Sequence, residues 1–261
     1  MSLREQLCAY GRRAVELGLV IGTSGNLSVR EGDRVAVTPS GVALDRLTPD
    51  SCPVVDLDGH LLEGDAQPSS ETPMHLAIYR TTDARAVVHT HSVFGAVVAT
   101  TKTELPPIHY NALMLGGVVK VAEYATYGTD ELAANVRAAL EGKRAALMAN
   151  HGGVTIGATL EEAFEATRLL EWLCEVYVRA LGVGELGRAH RRAARRRGRA
   201  RAQPAGVPPP LSARSASPVG SPPESAIRSW KDFSEPVYDA RIRSISMAPV
   251  RYEGAWVGQA Q

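Results

Sequence analysis

Cysteine is scarce. The 261-residue chain has three, Cys8, Cys52 and Cys174, an odd number, widely spaced and without a CxxC pair. That pattern offers neither a disulfide framework nor a thiolate zinc site, and it suits a reducing compartment. Long apolar runs are missing as well. None approaches the ~20 residues of a membrane span, and the N-terminus has no apolar core of a signal peptide. The expectation is a soluble cytoplasmic protein. Acid and base nearly cancel at a net charge of +1, but unevenly. Residues 1–186 hold 15 Lys and Arg against 23 Asp and Glu, a charge of −8, whereas residues 187–261 hold 14 against 5, a charge of +9. The two parts therefore differ in character.

Residues 188–201 include eight arginines, and nine of the 16 prolines lie beyond residue 203. The arginine run has no interleaved aromatics and no recognisable module, so it implies only nonspecific attraction to phosphates and no specific nucleic acid. Apolar periodicity stops there too. Such a segment cannot bury enough surface to offset its ordering entropy, and 187–261 reads as a disordered tail behind a domain spanning 1–186. Two origins are open for it: a natural extension, or a shifted frame in a GC-rich gene.

Within 1–186 the local patterns are regular. Ser2 and Glu5 have capping-box spacing, and Leu3, Leu7, Tyr10, Ala14 and Leu17 then mark one face of a helix. Leu27 and Val29, then Val35 and Val37, alternate as two strands around a turn at Glu31-Gly32-Asp33. Val54–Leu57 and His60–Leu62 form a second hairpin across Asp58-Gly59. Ser69-Ser70 precede a helix from about Glu71 to Arg80, with Pro73 tolerable in its first turn. Ala86–His91 and Ala145–Ala149 read as buried strands, and a helix from about Asp130 is closed by Gly142. Thr159 and Glu162 are a second capping box, followed by a helical stripe up to Gly182. Strands and helices mixed in this way, many joined by hairpins, argue for an α/β domain with a largely antiparallel central sheet.

The strongest chemical signal is His89-Thr90-His91 at a strand end. Strand side chains alternate, so the two histidines share a face and can grip one ion. An open catalytic zinc site needs a third imidazole, and His151 follows another short apolar strand in a glycine-flanked loop. For His75, one turn after Glu71, a structural role is the better reading. Glu71 itself supports two readings. With Ser70 as N-cap, Glu71 merely favours the positive end of the helix dipole; alternatively the serine hydroxyls and free N–H groups bind a phosphate while Glu71 faces the metal as a base. Gly22-Thr23-Ser24-Gly25-Asn26 and Thr38-Pro39-Ser40-Gly41 are either anion cradles or ordinary turns, and neither matches a P-loop or dinucleotide fingerprint.

Taken in order, GTSGN, TPSG, SSE, HTH, Ile108-His109-Tyr110, YATYGT at 124–129 and NHG closely resemble the class II aldolase family, which includes fuculose-phosphate aldolases and ribulose-phosphate 4-epimerases. The resemblance spans about residues 3–185 and is nearest to the fuculose-phosphate aldolases. It implies an antiparallel sheet flanked by helices, and a cyclic homotetramer with active sites at subunit boundaries. It makes His89, His91 and His151 ligands of one Zn²⁺ or similar divalent ion per subunit. Glu71 matches the catalytic acid–base and a fourth ligand of the resting site. Gly25, Asn26, Ser40, Gly41, Ser69 and Ser70 match phosphate-binding positions. Tyr110 matches a tyrosine that the neighbouring subunit contributes near the aldehyde oxygen.

The implied reaction is cleavage of a ketose 1-phosphate, such as an L-fuculose 1-phosphate, to dihydroxyacetone phosphate and an aldehyde. Only Lys102, Lys120 and Lys143 precede the tail, and none sits in the motifs, so no Schiff base is implied. A 5-deoxyribulose-phosphate aldolase is a close rival. The related epimerases have aspartate where Glu71 stands, and a methylthioribulose-phosphate dehydratase shares the histidines. A non-catalytic scaffold like the adducin head keeps the fold alone, and the intact triad with Glu71 speaks against it. Family aldolases continue past the last helix with an acidic helix and a tyrosine-bearing tail, and this chain departs from them there.

Overall fold

Helix α1 (Leu3–Glu16) starts where its side chains can satisfy its own end. Ser2 Oγ accepts from Glu5 N at 3.2 Å, and Ser2 N donates to the Glu5 carboxylate at 2.7 Å. The buried face is Leu7, Cys8, Gly11 and Ala14. Leu17 ends the stripe differently from expectation. It is the C-cap and about half exposed, because the helix has already stopped at Glu16. The structure is a computed structural model that describes residues 1–184 and Leu186. The expected tail, and the domain boundary near 186, lie outside the described residues.

After α1 come β1 (Asn26–Glu31), β2 (Arg34–Val37), β3 (Val54–Val55), β4 (Leu61–Glu63), α2 (Thr72–Thr81), β5 (Ala86–Thr90), α3 (Val93–Thr101), β6 (Glu104–Leu105), β7 (Val119–Ala122), α4 (Asp130–Ala139), β8 (Ala145–Met148), β9 (Gly152–Gly157) and α5 (Leu160–Val183). Both expected hairpins are present, β1–β2 and β3–β4. Among the described residues the strands form one sheet in the order β4-β3-β2-β1-β5-β9-β8-β7-β6. Every neighbouring pair is antiparallel except β7–β8. The antiparallel α/β expectation holds.

Strand alternation divides the core between the two faces. Val35, Val55, Val87, Val154 and Ile156 pack with Met74, Ile78 and Tyr79 of α2 and Val136 of α4. Leu27, Val29, Ala36, Ala86 and Val88 point the other way, toward Leu7 of α1 and Phe164 of α5. Farther along that side, Leu147 packs with Val98 of α3 and with Leu170 and Leu173 of α5. Helices thus cover both faces. No helix among the described residues is long and apolar enough to cross a membrane.

Two local expectations are corrected, and one helix appears where the sequence carries no expectation. Glu71, not Ser70, stands at the N-cap of α2, and its side chain makes no cap bond; Ser69 Oγ instead accepts from Glu71 N at 3.3 Å. At α5, Thr159 accepts from Glu162 N, but the Glu162 carboxylate accepts from Ala158 N rather than from the cap residue. Finally, residues 93–101 are rich in β-branched valine and threonine with no helical stripe, yet they form α3. The reason is tertiary. Glu171 of α5 accepts from Phe94 N, Gly95 N and Ser92 Oγ at 2.9, 2.8 and 2.6 Å, capping α3 from a distant part of the chain.

Candidate active site

Three turns and one helix start meet at the middle of the sheet. Asn26 at the head of β1 pairs in register with His89 of β5, and His89 with Val154 of β9. His91 leaves β5 two residues later, and His151 sits in the tight β8–β9 turn, its N–H bonded to Met148 O. That turn demands unusual backbone: Asn150 has φ +54°, and a Cβ at Gly152 would lie 2.2 Å from Thr90 O. From across the sheet, Glu71 reaches in from the start of α2.

The three imidazoles face one another with ring centroids 4.8–4.9 Å apart. His89 Nε2 lies 2.9 Å from His91 Nε2 and 3.0 Å from Glu71 Oε2, while His151 Nε2 lies 3.4 Å from Glu71 Oε1. One ligand atom from each of the four residues falls within 4.8 Å of all the others. Tetrahedral ligands about 2.0–2.1 Å from a zinc ion stand roughly 3.3 Å apart, so the spacing suits one ion.

Protonation supports the same fit. His89 Nδ1 is 3.0 Å from Gly153 O, and a carbonyl only accepts, so Nδ1 carries the hydrogen and Nε2 turns its lone pair to the centre. Burial first, then the crowding of the His89 and His151 rings, which would repel a second positive charge, push the His91 imidazole down to about 4, and His151 is lowered by burial and by His89. Both are neutral at pH 7 and could serve as ligands. Burial pushes the Glu71 carboxyl up, but the electrostatic and hydrogen-bonding influence of His89, with help from His151 and the Asn26 amide, outweighs it and holds Glu71 well below the usual carboxylate range. Glu71 Oε1 is buried and has no hydrogen-bond partner. Lone pairs and an anion converging in this way call for one cation at the centre, either a proton or a metal ion. A metal ion satisfies all four groups.

Above the cluster opens a cavity of about 330 Å³, lined by Gly25, Asn26, Ser40, Gly41, Ser69 and Ser70 together with Glu71, His91, His151 and Tyr127. Its loops are tied together by Ser69 N to Thr38 O at 3.1 Å and Ser40 N to Gln67 O at 2.9 Å. Gly25 is required by sterics: at φ +80° a Cβ would meet Val20 Cγ1 at 2.6 Å and His89 O at 3.0 Å. A larger groove of about 560 Å³ beside α2 and α4 shares Ser69 and Ser70 but contains none of the histidines. The smaller cavity is therefore the candidate site.

All six phosphate-loop candidates thus line one cavity, and Glu71, His91 and His151 line it too, with fully buried His89 beside them. Tyr110 does not join them. It begins the 3-10 helix Tyr110–Leu115, is 76% exposed, stacks near His109 at 4.3 Å and is not part of the lining. Two residues beneath the site, Ser28 and His75, carry no site role in the sequence reading. Their signal was spacing: Ser28 is two after Asn26 on one strand face, and His75 is four after Glu71 on one helix face.

Residues 5–178 match the family described as Class II Aldolase and Adducin N-terminal domain. A 5-deoxy-D-ribulose 1-phosphate aldolase from Bacillus thuringiensis serovar kurstaki is 38% identical over 188 residues, 70% of this chain and 87% of that protein. A 5-methylthioribulose-1-phosphate/5-deoxyribulose-1-phosphate aldolase from Rhodospirillum rubrum is 40% identical over 187 residues, 71% and 84% of the two chains. Among solved structures, an L-fuculose 1-phosphate aldolase superposes with a TM-score of 0.69 at 40% identity, covering 71% of this chain and 89% of the other.

Proposed function

The chain belongs to the class II aldolase and adducin N-terminal domain family, and we propose that it is a zinc-dependent aldolase cleaving a deoxyketose 1-phosphate to dihydroxyacetone phosphate and a short aldehyde. The observation that carries this is the clustering of three imidazoles and Glu71, of which Glu71, His91 and His151 line a cavity walled by glycine, serine and asparagine loops. A scaffold would have no need of either.

His89, His91 and His151, with Glu71 beside them, would hold the metal. When bound, it supplies a Lewis acid that polarises the substrate carbonyl and steadies the negative charge left by carbon–carbon cleavage. The chain's own groups do the rest. Ser40, Gly41, Ser69 and Ser70 cradle the phosphate with hydroxyl and backbone donors near the start of α2. In cleavage ionised Glu71 takes the proton of the C4 hydroxyl, the C3–C4 bond breaks, and its electron pair stays with the three-carbon fragment as the aldehyde departs. Glu71 then delivers a proton to C3, and in synthesis it removes that proton. Oε2 is committed to Asn26 Nδ2 at 2.8 Å, so Oε1 is the oxygen free for this transfer.

Tyr110, exposed and away from its own cavity, acts at the aldehyde oxygen of a neighbouring subunit in a homotetramer. Leu113, Met114, Val93 and Val97 are also exposed and supply apolar surface for such an assembly. Two substrates are favoured by separate likenesses: 5-deoxyribulose 1-phosphate by the aldolases of Bacillus thuringiensis and Rhodospirillum rubrum, and L-fuculose 1-phosphate by further curated relatives and the solved structure. The test is release of dihydroxyacetone phosphate from each, with metal content measured on the same preparation. Turnover of one or both that chelator abolishes and zinc restores is expected. No release from any ketose 1-phosphate by zinc-loaded protein refutes the proposal.

A further inference from the structure

One buried histidine is not used by the metal cluster. His75 is fully buried, with Nε2 2.6 Å from Asn26 Oδ1 and Nδ1 2.6 Å from Ser28 Oγ. Ser28 Oγ lies 2.7 Å from Tyr79 Oη, and Asn26 Nδ2 lies 2.8 Å from Glu71 Oε2. The layout is built from two periodicities. Glu71, His75 and Tyr79 are spaced by four on α2, and Asn26 and Ser28 by two on β1, so a helix ridge interlocks with a strand face.

The direction of every proton follows from the carboxylate end. Ionised Glu71 only accepts, so Asn26 presents its NH₂ there and turns its carbonyl to His75. That carbonyl also only accepts, so His75 Nε2 carries the hydrogen. Burial pushes this imidazole down to about 3, so the ring is neutral and its Nδ1 is an acceptor. Ser28 therefore donates to Nδ1, and Tyr79 donates to Ser28. Each hydroxyl, ring and amide has one orientation that satisfies the whole chain, and reversing any member sets two acceptors or two donors face to face in a buried site.

We propose that His75 is a positioning residue for Glu71: braced by Ser28 and Tyr79 as the Nε2–H tautomer, it fixes the Asn26 amide so that its NH₂ meets the carboxylate. Asn26 is then more than a phosphate contact. Its amide pins Oε2 of Glu71 and leaves Oε1, beside His151, without a hydrogen-bond partner, in the way that outer partners orient metal ligands and bases elsewhere. The functional consequence rests on the reading of Glu71 as the aldolase base, whereas the geometry does not.

The full chain, labelled with ¹⁵N at histidine and asparagine, tests both levels. Nitrogen spectra should show His75 as the Nε2–H tautomer, and the Asn26 side-chain amide should exchange slowly with solvent. His75→Leu keeps the three imidazoles and should bind zinc in full, but the Asn26 amide should lose its protection and kcat should fall by about 10–100-fold with KM little changed. His75→Gln, whose terminal NH₂ can stand near the place of Nε2, should restore most of the turnover. An Nδ1–H ring in the wild type, unchanged Asn26 exchange in His75→Leu, or equal losses in the Leu and Gln variants would overturn the proposal. If His75→Leu fails to fold, Ser28→Ala decides: loss of the single tautomer is expected, and an unchanged ring with full turnover overturns it. Should the wild type cleave no ketose 1-phosphate, the aldolase reading fails, while the tautomer and exchange measurements still decide whether His75 positions Asn26.

Discussion

Replacing Glu71 by Gln keeps the side chain's shape and removes its charge, and the surroundings show how the amide would settle. Asn26 Nδ2 donates to Oε2 at 2.8 Å, so the glutamine oxygen belongs there. Its NH₂ then turns toward His151 Nε2, which lies 3.4 Å from the present Oε1. No buried polar group is stranded, so the variant should stay folded, with a stability change within about the 1–3 kcal/mol that one unsatisfied group would cost. Three imidazoles remain, and loss of the neighbouring carboxylate should weaken zinc by about 10–100-fold. Turnover is another matter. A general base contributes 10²–10⁴-fold as a rule, so kcat should drop by at least ~10², about 2.7 kcal/mol of barrier. The assay is steady-state release of dihydroxyacetone phosphate at saturating added zinc, which separates a lost base from a lost ion, alongside metal content and a thermal melt. A folded, zinc-loaded Glu71→Gln protein turning over within about threefold of wild type would show that proton transfer at Glu71 is not part of the reaction.

Other outcomes follow from single features of the site. His91→Ala removes one of three converging imidazoles and should lose most bound zinc in dialysed protein, and stoichiometric zinc there would rule out the triad as the metal site. Gly25→Ala places a Cβ 2.6 Å from Val20 Cγ1 at φ +80° and should destabilise the fold by about 1–3 kcal/mol, read as a lowered melting temperature. Ser40→Ala should remove a phosphate contact worth about 1.5–3 kcal/mol, raising KM for phosphorylated substrate while sparing an unphosphorylated analogue. His75, with a folded pKa near 3 against 6.5 when free, binds its proton more weakly in the folded protein. Stability should therefore be full above pH 6.5 and fall toward pH 3, with this residue contributing up to about 1.4 kcal/mol per pH unit. Urea melts at several pH values should show a shallower acid loss in His75→Gln, and parallel curves would contradict the assignment.

What the sequence determined by itself is what depends on near neighbours in the chain. The Ser2–Glu5 box, the turns of the two hairpins, the strand that ends in His89 and His91 and the glycine-flanked His151 were all legible, because periodicity and turn chemistry act over a few residues. The ordered motifs carried the site list from there. What only the tertiary structure decided depends on partners far away. Residues 93–101 have strand-like composition and become helix because Glu171, more than 70 positions later, takes their free N–H groups. Which nitrogen of His89 faces the centre is set by Gly153 O, and the placing of Asn26 beside His89 by the β1–β5 register. His75 looked like an ordinary core histidine. Its orientation is fixed by Ser28 and Asn26 from another strand, and no local pattern encodes a hydrogen bond that closes only when the sheet has paired and α2 has docked on it.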